Sequence, residues 1–124
     1  TQLPFFEALI RGVLCNTLVC LAVWLAFAAH TVPGKVMAVI FPVTAFVALG
    51  FEHSVANMYL IPVGFVAAQD VATVTTSGLT TEALSTLTPA GFMANLIPVT
   101  IGNILGGSVL VAAVYWLCYL RPSK

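Results

Sequence analysis

Glu52 and His53 are the residues best placed to do chemistry, because they are adjacent, ionisable and set deep in an apolar run from Val36 to about Gln69. No other acidic or basic side chain falls between Lys35 and Asp70. Ionisable groups inside a bilayer are costly and are usually retained for a task. An imidazole can exchange a proton near neutral pH and can hydrogen-bond an anion. Ser54 and the amides after it would open a helix whose positive dipole end favours negative charge. His53 therefore reads as an anion contact, the alternative being a structural histidine packed between helices. A free carboxylate would repel an anion, so Glu52 reads as a support that accepts hydrogen bonds from freed backbone amides or from an amide such as Asn16 or Asn57.

The elements that must position these groups follow from composition. Of the 124 residues, 60% are hydrophobic and only 6% charged, and mean hydropathy is +1.08; a water-soluble domain carries about a quarter charged residues. Acidic and basic residues cancel, which removes a basic nucleic-acid footprint. Three apolar stretches, about 5–29, 36–69 and 91–120, are each as long as the roughly 20 residues a helix needs to cross a bilayer. They predict an all-α membrane protein with three transmembrane spans.

The second stretch is too long for one straight crossing. Taken as a single helix at about 1.5 Å per residue it would run roughly 50 Å, against a hydrocarbon core of about 30 Å. Pro42, Gly50, Pro62 and Gly64 lie within it. A helix broken near 46–54, at the membrane midplane, accounts for both length and composition, and such breaks face a permeant instead of lipid.

The polar segment 30–35 carries Pro33 and Gly34 as turn residues, and the Thr/Ser-rich segment 70–89 reads as an exposed loop with at most a short helical turn. Lys35, Arg121 and Lys124 collect on one side of a three-span arrangement and Arg11 lies opposite, one turn from a pairing Glu7. The positive-inside rule then places the C-terminus in the cytoplasm. Asn16, Asn57 and Asn103 put one amide in each span, where amides bridge helices. The spacing of Gly102 and Gly106 permits close backbone approach. Cys15, Cys20 and Cys118 sit in apolar spans without metal-ligand spacing, and no set of residues suggests catalysis, a metal or a cofactor. A haem-binding membrane anchor is the reading from another class; His30 and His53 are its only ligands, and a polar turn separates them to different depths.

Three segments, Gly12-Val-Leu-Cys-Asn16-Thr-Leu-Val-Cys-Leu-Ala-Val-Trp24, Gly50-Phe-Glu-His-Ser-Val-Ala-Asn-Met58 with Ile61-Pro62, and Asn95-Leu-Ile-Pro-Val-Thr-Ile-Gly-Asn-Ile-Leu-Gly-Gly107, resemble the formate/nitrite transporter family, and most of all its formate channels. The likeness spans nearly the whole chain. It implies an aquaporin-like protomer of six helices in two inverted repeats, this chain being the second, completed by a complementary N-terminal three-helix half and assembled as a homopentamer in a bacterial cytoplasmic (inner) membrane. It implies a pore for a small monovalent anion, formate before nitrite or hydrosulfide. His53 matches the central pore histidine, Asn16 and Glu52 match polar residues around it, and Phe46 and Val19 match residues of the hydrophobic constrictions. Ser54 and Asn57 belong to the same supporting group.

Overall fold

A computed structural model describes residues 3–78 and 80–121, and among these every regular element is helical. Pro122, Ser123 and Lys124, the end of the basic C-terminal segment, lie outside the described residues. Helix α1 is Phe5–Ala28, α2 Val32–Ala48, α3 Ser54–Ala67, α4 Val71–Ser77 and α5 Thr81–Ser85. Helix α6 is the 32-residue rod Pro89–Leu120. It is α-helical to Leu105 and continues in wider i→i+5 turns over Gly106–Ala113 and Trp116–Leu120.

Local chemistry sets the boundaries. Thr31 caps α2 by accepting the Gly34 N–H, with Pro33 in the first turn where its missing N–H costs nothing. The turn between α1 and α2 is therefore shorter than the polar segment 30–35 suggests, and Lys35 is helical. Thr88 caps α6 in the same way, with Pro89 opening the helix. The Thr/Ser-rich segment holds two short helices in place of a loop, because Asp70 caps α4 at Ala72 and Thr73 and Thr80 caps α5 at Ala83.

Helices α1 and α6 are long and apolar enough to cross a membrane; α2, with 17 residues, and α3, with 14, are individually shorter. The principal packing joins α1 to α6, with α2 also against α1 and α3 against α6. Glycine lets α1 and α6 approach closely: a Cβ on Gly102 would collide with the Leu9 carbonyl, and one on Gly106 with that of Val13. Among the described residues, the buried hydrophobic ones are Ala8, Cys15, Ala22 and Val99, whereas Phe6 and Phe27 are about three-quarters exposed, at 74% and 78%. Small groups and amides inside, large apolar side chains outside: this reverses the usual water-soluble arrangement and matches a lipid solvent.

Candidate functional site

The site is the interruption between α2 and α3, residues 49–53. Helix α2 ends with Gly50 in the left-handed region, φ 64°. The Gly50 N–H donates to the Val47 carbonyl at 3.1 Å and the Phe51 N–H to the Phe46 carbonyl at 2.9 Å. This is the paired ending that glycine permits at a helix C-terminus. It turns the chain sharply and ties Phe46 to the rim of the break.

On the other rim His53 is the N-cap of α3, and its Nδ1 accepts the Ala56 N–H in a long 3.5 Å contact. A neutral ring in that arrangement carries its proton on Nε2, leaving that N–H as the donor. The His53 and Phe46 rings lie 6.0 Å apart, centroid to centroid, at a 33° tilt, bringing the imidazole and the aromatic wall together. The break thus places a titratable ring, an apolar ring and a positively polarised helix start in one locality.

Asn103, 6% exposed, organises the opposite side. Its Nδ2 donates to the Gly12 carbonyl at 2.8 Å and the Glu52 carbonyl at 3.0 Å. Its Oδ1 accepts both the Ser54 N–H and the Ser54 hydroxyl at 2.9 Å. Asn16 Nδ2 in turn donates to the Asn103 backbone carbonyl at 2.6 Å. One amide therefore joins α1, the break and α3, and it is fully used in doing so.

Glu52 is held by a second amide pair. Its Oε2 accepts from Asn57 Nδ2 at 2.5 Å and from Asn95 Nδ2 at 3.3 Å, while Asn57 Nδ2 also donates to Asn95 Oδ1 at 2.9 Å. Of the two amides that the sequence suggested for Glu52, Asn57 makes the contact and Asn16 serves Asn103 instead. Val19 lies half-buried on α1 one turn beyond Asn16, on the same helical face. His30 sits in the turn between α1 and α2, and His53 at the start of α3.

Sequence reasoning passed over Asn95 and gave Asn103 only a general bridging role. The available signal was an asparagine in each of the two α6 turns that must face the break, but which break atoms they reach is a tertiary matter. Away from the site, an apolar groove of about 700 Å³ runs between α1 and the end of α6, with Trp24, Phe27, Leu110 and Tyr115 in its wall.

An all-helical chain with lipid-suited surfaces and a polar, interrupted helix at its centre has the attributes of a membrane transport protein. The formate/nitrite transporter family model matches residues 1–117, and the chain belongs to that family of integral membrane channels. It is 48% identical over 123 residues to the formate channel FocA of Escherichia coli K12, covering 96% of this chain and 43% of that protein. A probable formate transporter of Methanothermobacter thermautotrophicus is 48% identical over 120 residues, with 97% and 38% covered. Among solved structures, a pentameric formate channel with formate bound superposes with a TM-score of 0.83 at 41% identity, covering 97% of this chain and 48% of that one. The chain thus spans less than half the length of these relatives, which are channels and transporters and not enzymes.

Proposed function

We propose that this chain is the second three-helix half of a channel protomer that passes formate through a pore beside His53, coupling passage to protonation there. The observation that carries this reading is the break itself: His53 begins α3, stands against Phe46, and is flanked by peptide groups clamped by Asn103. An anion crossing an apolar constriction pays a large desolvation cost. That cost falls when the anion meets the α3 N-terminus and the His53 N–H, and falls further when it takes up a proton and crosses as the acid. Phe46 and Val19 supply the apolar constrictions, Asn16 the polar lining beside them, and Glu52, Ser54 and Asn57 the support.

The α2–break–α3 segment acts as the second, interrupted span between α1 and α6. A complementary three-helix half closes the pore, five protomers form the ring, and the C-terminus faces the cytoplasm of a bacterial cell, on the side of Lys35 and Arg121. The pentameric formate-bound neighbour supports the ring and the substrate.

Proteoliposome flux from about pH 5 to 8, where histidine changes charge, tests the proposal. His53→Asn keeps a donor of similar size but cannot titrate; it should retain formate conduction and lose the pH response. A wild-type pH profile in that variant would reduce His53 to a structural residue. Nitrite or hydrosulfide passing faster than formate would reassign the substrate.

A further inference from the structure

We infer that Arg11 is a positioning residue for the break, fastening the α2 side of the pore to α1 while Asn103 fastens the α3 side to α6. The inference rests on the reading of the break as the pore. Arg11 lies in the second turn of α1, its side chain about one-third exposed, and its guanidinium makes two hydrogen bonds. Its Nη2 donates to Glu7 Oε1 at 2.6 Å, and its Nη1 donates to the Gly50 carbonyl at 3.0 Å. The ion pair with Glu7 is local to α1, whereas the Gly50 bond crosses to the residue that ends α2.

Gly50 is a sensitive place to hold. It is the left-handed residue on which the C-terminal turn of α2 depends, and a Cβ there would lie 3.3 Å from Arg11 Nη1, so the guanidinium sits directly against the turn. A cation at a helix C-terminus also meets the negative end of the dipole. Four residues earlier, the Phe46 carbonyl is tied into the same turn through Phe51. Holding Gly50 therefore holds Phe46, and with it the spacing between Phe46 and His53.

The two fastenings make the separation of the pore rims depend on the α1–α6 contact. Asn103 reaches Ser54 and Glu52 from α6 and also bonds Gly12, next to Arg11 on α1. Neither α2 nor α3 can shift at the break without loosening a bond to α1 or α6. Arg11 acts on the path through geometry, without itself contacting the anion.

The test is formate flux through the assembled channel in proteoliposomes, with ring assembly checked by size exclusion. For Arg11→Gln, maximal flux should fall about tenfold, the scale of one lost charge-assisted hydrogen bond. Half-saturation should stay within about twofold, because a positioning residue alters the barrier and not the approach of the ion. Arg11→Lys should recover most of the flux, since an ammonium can still donate to Gly50. Glu7→Gln, which keeps the Gly50 bond, should remain near wild type. A raised half-saturation with unchanged maximal flux would make Arg11 an electrostatic attractor and overturn the inference. So would loss of assembly in Arg11→Gln with no flux recovered by Lys, or a Glu7→Gln defect as large as that of Arg11→Gln. Measuring His53→Asn in parallel separates the two claims. If its pH response matches wild type, the reading of His53 as the protonation site fails; if it loses that response while Arg11→Gln conducts normally, only the present inference fails.

Discussion

Asn103 illustrates how much a single buried amide can carry. Leucine at this position would strand the Ser54 N–H and hydroxyl and the Glu52 carbonyl at once. Each stranded group costs about 1–3 kcal/mol, so Asn103→Leu should lower stability by on the order of 3 kcal/mol, read as a lower unfolding midpoint in detergent. Asn103→Asp keeps the acceptor for Ser54 but removes the donor and brings negative charge toward two carbonyls, and should also destabilise. At the start of α4, Asp70 offers a pH-dependent counterpart. Hydrogen bonds from the Thr73 hydroxyl, then the Thr73 and Ala72 amides, hold its carboxyl below the usual carboxylate range. A depressed folded pKa contributes stability that is present above the unfolded value and lost as pH falls through the folded one. Protection of the α4 amides, measured relative to their intrinsic exchange rates, should therefore fall as pH drops below about 4, and Asp70→Asn, which still caps but cannot titrate, should flatten that dependence.

Among the elements, α1 and α6 form the frame to which α2 and α3 are attached. Their approach rests on glycine, so Gly106→Val should force them apart by driving a side chain into the Val13 carbonyl. Overpacking costs about 1–3 kcal/mol, and backbone collision places this variant at the upper end. Trp24 and Tyr115 meet edge to face across the same helix pair at 6.1 Å, so Trp24 emission, measured with Trp116 replaced by Phe, should shift on the substitution. Ile104→Val, at an exposed position of α6, should leave emission unchanged and stability within about 0.5 kcal/mol of wild type. The helix break between α2 and α3 was legible from the excess length of the apolar run, its Gly50 and Pro42, and the Glu52-His53 pair. The two short helices of the 70–89 segment were not, because their stability comes from single capping side chains and not from periodicity.

For the whole molecule, exposed apolar surface and half-buried polar groups point the same way. His53, Glu52 and Asn57 are each only partly covered by this chain, and hydrocarbon cannot satisfy them. We expect the chain to purify with a complementary three-helix half in a ring of five protomers, read by native mass spectrometry in detergent. A stable lone three-helix monomer would contradict this.

The sequence by itself determined the lipid-suited composition, the helical class, the family and the place of the helix break, because each is written in local composition or in short motifs: an apolar run, a glycine and an ionisable pair within it, an asparagine between hydrophobic neighbours. Only the tertiary structure decided the partners. Asn16 serves Asn103 and not Glu52, Asn95 joins Asn57 on the carboxylate, and Arg11 reaches past Glu7 to Gly50. Several amides are interchangeable as donors in a one-dimensional reading. The choice among them is made by the glycine-spaced contact of α1 with α6, which sets which side chains come within 3 Å of which carbonyls.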